Sequence, residues 1–393
     1  LYIVANLSRD LYLNLPQYNK IDMKSERLLS LDILRGITIA VMILVDNPGT
    51  WESVYAPLRH AEWNGLTPTD LVFPFFMFIM GVSMSFALSR FEHHFSHNFI
   101  TRLMRRTVIL FLLGVFLSWF SLLCFGVEHP LEHIRILGVL QRLALAYCFG
   151  SLLIIGIRRP MNLVWISAIL LIGYYILLML GNGFELSEQN IIAVTDRWLL
   201  GENHMYRKWL SDNSYIFFDP EGVLSTLPCI SQVIIGYFCG NILREKTEIH
   251  DRLLQISILG IVLLFIGLLF SYGCPLNKRV WSPAFVLVTC GFASLFLVFL
   301  TWVVDIKKRH KWGYVFHVFG TNPLFIYVVA GVLTTMLAVI PVGDISLQGK
   351  IYRSILLIFR DAHLASLIYG LLFIGFNYLI VLFLYKKQIF IKI

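Results

Sequence analysis

Charged residues are scarce in this chain. Asp, Glu, Lys and Arg make up 14% of its 393 residues, where a soluble domain carries roughly 25%. That is too few to coat a water-facing surface, which excludes an ordinary soluble protein. Cysteine is sparse as well. Cys124, Cys148, Cys229, Cys239, Cys274 and Cys290 show no CxxC spacing, so no disulfide framework or zinc ribbon is expected. Cys229 and Cys274 form either a pair or, as free cysteines most often do, two small apolar residues. No metal site is expected either. His129 and His133 stand four apart, but Pro130 interrupts them and further ligands are missing. No internal repeat stands out, so the inverted-repeat signature of many transporters is lacking.

What the chain has is apolar residues, 58% of the total, in runs long enough to cross a bilayer. A span needs about 20 such residues. They predict an all-α membrane protein with about ten transmembrane helices, at 31–48, 67–89, 107–125, 137–157, 161–181, 223–243, 253–272, 282–304, 315–340 and 363–385. The net charge is +8, but the cations gather at the ends of the apolar runs, as topology signals do. No nucleic-acid partner is expected. One set of connections holds Lys24, Arg27, Arg90, Arg102, Arg105, Arg106, Arg158, Arg159, Arg244, Lys246, Arg252, Lys307, Lys308, Arg309, Lys311, Lys386, Lys387 and Lys392. The alternate set, which includes Arg59, Arg135, Arg142, Lys278 and Arg279, is poorer. The richer side is expected to be cytoplasmic, which puts both termini inside. No cleavable signal peptide is evident. Residues 1–22 are expected to be an upstream segment ahead of Met23, and 23–393 a single transmembrane domain.

The polar residues are concentrated. Between the first two spans, VDNPGTWESVYAPLRHAEWNGLTPTD supplies Asp46, Asn47, Glu52, Arg59, His60, Glu62, Trp63, Asn64, Thr67 and Asp70. A carboxylate at bilayer depth is costly and takes a partner or a water-filled cavity. Two of them flanking a histidine suit general-base chemistry, in which a carboxylate fixes the imidazole tautomer. The plainer alternatives are a surface histidine for His60 and a helix cap for Asp70, since TPTD ahead of an apolar run has a capping-box form. Both readings of Asp70 can hold together. Asp32 and Arg35 share a face of the first helix, either as an ion pair or with Arg35 meeting an anionic ligand. Gln141 and Arg142 lie within the fourth span, where an unpaired guanidinium is costly. In Gly320-Thr321-Asn322-Pro323, proline frees a carbonyl inside the ninth span. The largest loop, 182–222, holds Trp198, Tyr206, Trp209, Asp212, Asp219 and Pro220. Its aromatics either stack on sugar rings or form an interfacial belt. His93, His94 and His97 are expected to be solvated in a basic loop.

RLLSLDILRGITIAVMILVDNPGTW, PLRHAEWNGLTPTDLVFPFFMFIMGVS, RILGVLQRLALAY, PLNKRVWSPAFVLVTCG and VFGTNPLFIY together resemble the heparan-α-glucosaminide N-acetyltransferase family and its bacterial relatives, from Glu26 to the closing KKQIFIKI. The resemblance implies an enzyme that takes acetyl from acetyl-CoA on the cytoplasmic face and delivers it to the amine of a glucosamine-type sugar on the other. His60 corresponds to the family's active-site histidine. Where family members have Asn-Asn or Asn-aromatic, this chain has Asp46-Asn47. By that resemblance, the lysosomal member's additional N-terminal helix and luminal segment are not expected in this chain.

The catalytic set expected is His60, Asp70, Asp46 and Asn47, with His60 as general base or acetyl carrier. Direct transfer is preferred, because an acetyl-imidazole open to water would hydrolyse. Arg35, Arg105, Arg106, Gln141, Arg142 and Asn322 are expected around the cosubstrate, and Glu62, Trp63 and Asn64 around the acceptor. Asn47, Trp63 and Asn64 are candidate oxyanion donors. The expected setting is a bacterial inner membrane, the partners an amino-sugar or glycan acceptor and the lipid bilayer, and the resemblance allows a homodimer. The competing readings are an amino-sugar transporter or permease, and an O-acyltransferase acting on an envelope glycan.

Overall fold

The computed structural model describes residues 28–91, 93–209 and 214–391. The upstream segment 1–22, Met23, Lys24, Glu26, Arg27, Asp212 and Lys392 lie outside the described residues. Helix α1 runs Leu29–Asp46 and α2 Val72–Leu88, the latter entered through a 3-10 turn at Pro68–Leu71. Then come α3 His97–Cys124, α4 Val139–Gly156, α5 Pro160–Leu180 and the short α6 Ile191–Leu200. Strands β1 Arg207–Trp209 and β2 Tyr215–Phe217 pair antiparallel. Helices α7 Thr226–Arg244, α8 Ile249–Phe270 and α9 Pro283–Leu300 follow, α9 continuing as a π-helical segment, Thr301–Ile306. The chain ends with α10 Tyr314–Thr321, α11 Pro323–Val339, the two-residue strands β3 Pro341–Val342 and β4 Ile345–Ser346, α12 Leu347–Phe359 and α13 Ala362–Lys386.

Among the described residues, eight helices are long and apolar enough to cross a membrane, or nine if the α10–α11 pair counts as one span. The remaining expected span is α1. Its 18 residues reach roughly 27 Å at about 1.5 Å each, but it carries Asp32, Arg35 and Asp46. Most of its side chains, Asp32 among them, are buried among other helices, which spares that carboxylate from lipid. The ten expected segments therefore all fall on helices, with two differences. The third begins at His97, not 107, because Ser96 caps it, its Oγ accepting from the Phe99 N–H at 3.2 Å. Arg102, Arg105 and Arg106 thus lie on α3 and not in a loop. The ninth is broken. Pro323 lacks an N–H and disfavours helical geometry at the preceding residue. Asn322 accordingly leaves the helix at φ −132°, and α10 and α11 meet at a bend of 76°.

Small residues let the inner helices touch. A Cβ on Gly36 would lie 1.7 Å from the Phe316 carbonyl oxygen, and one on Gly320 would lie 2.0 Å from that of Asp32. Backbone contact of this kind is how helices associate where lipid offers no hydrophobic drive. Gly320→Val is therefore expected to push α10 off α1 and to lower stability by about 1–3 kcal/mol or more. Gly375→Val on α13, where a Cβ meets nothing within 4 Å, serves as the control. Thermal unfolding in detergent reads the difference, and equal midpoints for the two variants would contradict the packing.

Both ends of the bundle are fastened by polar ties. At the end where α1 begins, Arg244 donates to the Ser85 carbonyl at 2.8 Å, and His93, expected to be a solvated loop residue, is bonded through Nδ1 to the Ile154 carbonyl at 3.1 Å. At the far end, the Trp63 indole N–H donates to the Phe184 carbonyl at 2.7 Å, and the Gly49 N–H to that of Ser366 at 3.4 Å. The HAEWNG segment is held at this far end. All six cysteines are free thiols.

Candidate active site

The site grows from the start of α2. Pro68 opens the 3-10 turn and Asp70 occupies its third position. Its Oδ2 accepts from the Thr67 N–H at 3.1 Å, the Thr67 hydroxyl at 3.0 Å and the Ala61 N–H at 3.1 Å. The other oxygen, Oδ1, lies 2.7 Å from His60 Nδ1. Asp70 is thus both the helix cap and the histidine's partner. Because an ionised carboxylate only accepts, the imidazole proton sits on Nδ1 and the lone pair on Nε2. That is the tautomer a general base needs. Asp70 is 1% exposed while the His60 side chain is 34% exposed, so the orienting group is sealed and the working edge is open.

A third group completes the cluster. Lys278, in the loop between α8 and α9, places Nζ 3.1 Å from His60 Nδ1, 3.5 Å from Nε2 and 3.7 Å from Asp70 Oδ1. Its neighbour Asn277 fixes that loop. Asn277 Oδ1 accepts from the N–H groups of Arg279 and Val280 at 2.8 and 3.1 Å, and its Nδ2 donates to Asn64 Oδ1 at 3.0 Å. Burial lowers the Lys278 ammonium below the ordinary lysine range, against the pull of Asp70, Asp46 and Glu221. Asp46, the last residue of α1, is exposed and stands within electrostatic reach of Lys278, His60 and Glu221.

Behind these lies an ionic clamp built on the buried Asp219. The Arg135 guanidinium takes Asp219 in both hands, Nε to Oδ2 at 2.9 Å and Nη2 to Oδ1 at 2.6 Å, and also donates to Glu221. Burial opposes the charge on Glu221, yet Arg135 and Arg142 hold its carboxyl below the usual carboxylate range. Two-pronged pairs of this kind combine strength with fixed orientation.

A cavity of about 410 Å³ approaches the cluster from the other end of the bundle. Arg35 and Arg106 line it, with Ser83, Phe390 and Ile391. Its walls include Ile39, Met42, Phe73, Ile79 and Tyr327. On α2 it extends from Ser83 to Phe73, roughly 15 Å along the axis. Phe73 is one turn from Asp70, and Met42 one turn from Asp46. Arg35 is steadied by Asp32 Oδ1 at 3.0 Å and Ser83 Oγ at 2.9 Å, while Arg106 lies over the Tyr147 ring at 4.4 Å. With cations at one end and apolar walls that end about one turn from Asp70, the cavity suits a slim, anion-tailed molecule.

The remaining expected residues separate. Arg105 points away from the cavity and is exposed, whereas Arg106, the next residue on α3, lines it. Gln141 is buried against Gly114 and Gly138. Arg142, fully buried, donates to the Pro220 carbonyl at 2.6 Å and to Ser225, and lies 5.0 Å from the Trp281 ring centre. It ties α4 to the turn that carries Glu221. Asn322 donates to the Ile389 carbonyl at 3.0 Å and accepts from the Ile391 N–H at 2.8 Å. It thereby presses the C-terminal strand of chain into the cavity wall. Asn47 donates to the Ile43 carbonyl at 2.7 Å and accepts from Thr334. The single indole N–H of Trp63 is given to Phe184, so it is not available as an oxyanion donor. Glu62 is exposed, its carbonyl accepting from Arg279 at 3.0 Å. Sequence reasoning passed over Lys278 and Glu221 as participants. Lys278 had one signal, charge in an otherwise apolar chain, and it was read only as topology.

Fold and site together define a multi-pass helical membrane protein with a histidine–carboxylate centre at the end of an internal cavity. The family model described as heparan-alpha-glucosaminide N-acetyltransferase, catalytic, matches residues 27–273, and the chain belongs to that family. Two relatives are the heparan-alpha-glucosaminide N-acetyltransferases of human, 29% identical over 354 residues and 77% of this chain, and of mouse, 28% identical over 422 residues and 94% of this chain. The chain spans 52% and 61% of their respective lengths.

Proposed function

We propose that this protein transfers acetyl from acetyl-CoA to the amine of a glucosamine-type sugar, with the two substrates entering from opposite ends of the bundle. The observation that carries this reading is the cavity, which runs from Arg35 and Arg106 to Phe73, about one helical turn from the Asp70 that holds His60. The phosphates of CoA pair with the guanidinium groups, and the pantetheine arm lies along the apolar walls with its thioester toward His60. The basic end faces the cytoplasm, because Arg90, Arg158, Arg159, Lys307, Lys308, Arg309, Lys386 and Lys387 mark it by the positive-inside rule. In a bacterium that membrane is the inner one.

The acceptor meets His60 at the far end. His60 Nε2 takes a proton as the amine attacks the thioester carbon, the C–S bond breaks, and the protonated imidazole returns that proton to the CoA thiolate. Direct transfer is favoured over an acetyl-imidazole, since the His60 edge is open and the acyl group would be lost to water.

The test is purified protein in detergent with acetyl-CoA and glucosamine, following free thiol and N-acetylglucosamine together. Equimolar appearance of both supports the proposal, and absence of both from folded protein contradicts it. For the donor end, Arg106→Ala is expected to raise the KM for acetyl-CoA about tenfold, the worth of a hydrogen bond to a charged group. Arg105→Ala is expected to leave it nearly unchanged. Equal effects of the two would remove the cavity from the donor's path.

A further inference from the structure

We propose that Asp46 is the docking carboxylate for the acceptor's ammonium, so that the far-end site selects primary amines over hydroxyl acceptors. The inference rests on the acetyl-transfer reading above for its place in the reaction, but not for its binding test.

Three carboxylates near the centre are engaged. Asp70 holds His60, Thr67 and the Ala61 N–H, and Asp219 and Glu221 hold Arg135. Asp46 makes no hydrogen bond or ion pair among the described residues, and is open while its chain neighbours Val45 and Asn47 are buried. Its position is costly in two ways. It ends α1, where the helix dipole presents its negative pole and disfavours an anion. It also lies at the end of a membrane-embedded helix, where an ionisable group without a partner points to function. A cation arriving from outside offsets both costs.

The surroundings say where that cation sits. Met42, four residues back on the same face of α1, lines the cavity. Asp46 also lies within electrostatic reach of His60 and Lys278. An ammonium held there stands between the thioester end of the cavity and the imidazole. Lys278 does not fill the role, because its Nζ is placed against His60 and Asp70. The bound ammonium loses two protons in all. One passes through His60 to the departing CoA thiolate as the N–C bond replaces the C–S bond, and the other leaves to water. A hydroxyl acceptor can donate a hydrogen bond to Asp46 but brings no positive charge, so it gains less there than an ammonium does.

Calorimetric titration of the intact protein with glucosamine, glucose and N-acetylglucosamine, without acetyl-CoA, tests the site directly. The wild type is expected to bind glucosamine about tenfold or more tightly than either neutral sugar, the worth of one charge-assisted hydrogen bond. Asp46→Asn, nearly isosteric, is expected to erase that preference while leaving the neutral sugars unchanged. In turnover, the same variant raises the KM for glucosamine and leaves that for acetyl-CoA alone. A preference that survives in Asp46→Asn, or is missing from the wild type, overturns the proposal. Intact amine preference without any turnover faults the acetyl-transfer reading and leaves the ammonium site standing. Turnover with an unchanged glucosamine KM in the variant faults the ammonium site alone.

Discussion

Replacing His60 by Ala is expected to lower kcat for acetyl transfer by about three to four orders of magnitude, toward the upper range for loss of a general base. The size follows from geometry. Asp70 fixes the proton on Nδ1 from 2.7 Å, which leaves Nε2 as the open basic nitrogen at the centre. Without it, the centre loses the imidazole that takes the amine's proton as the N–C bond forms. Acetyl-CoA binding is expected to persist, because His60 does not line the donor cavity. Asp70→Asn is expected to fall between wild type and His60→Ala. Its amide can offer an N–H to Nδ1 and drive the imidazole into the other tautomer, and it also weakens the α2 cap. Steady-state kinetics with acetyl-CoA binding measured in parallel separates the effects. Near-wild-type turnover in His60→Ala would remove the residue from the chemistry.

The second large effect is expected at Lys278. Its ammonium stands 3.1 Å from the imidazole and is the nearest cation to the centre, positioned to stabilise the oxyanion that forms as the thioester carbon becomes tetrahedral. Removing one such preorganised donor costs about 10²–10³ in kcat. Lys278→Met keeps the apolar stem and removes only the charge, so a fall of that order with an unchanged KM for acetyl-CoA is expected. The pH profile separates a catalytic from a structural role. Burial lowers the Lys278 pKa, and the reaction needs the protonated form. Wild-type kcat is therefore expected to decline with rising pH before the ordinary lysine range is reached. In Lys278→Met the residual rate loses that alkaline limb. A variant with wild-type kcat, or one that keeps the limb, would show the ammonium to be idle.

Much of this site was legible along the chain. His60 and Asp70 are ten residues apart in a polar island between two apolar runs. The capping pattern at Thr67–Asp70 fixed one carboxylate at the head of α2, within reach of the loop histidine. The helices were equally legible, since bilayer thickness sets a length that hydropathy reveals. What escaped depends on tertiary approach. Lys278 is 218 positions from His60, and a basic loop residue in a membrane protein ordinarily reads as a topology signal. Arg135 and Glu221 converge only when the loop after α3 meets the turn before α7. Arg105 and Arg106 were indistinguishable in sequence because only the rotation of α3 decides which one faces inward. Asn322 was expected beside the cosubstrate for its polarity. Its amide instead braces the C-terminal residues that form part of the cavity wall.

The central claim is that acetyl crosses from a donor bound at the basic end to an acceptor bound at the His60 end. Proteoliposomes with glucosamine trapped inside and radiolabelled acetyl-CoA supplied only outside test it most directly. Molecules inserted with the basic end outward are expected to build up labelled N-acetylglucosamine within the lumen, with none formed by His60→Ala. Labelled product that forms only when both substrates share one compartment would contradict the account.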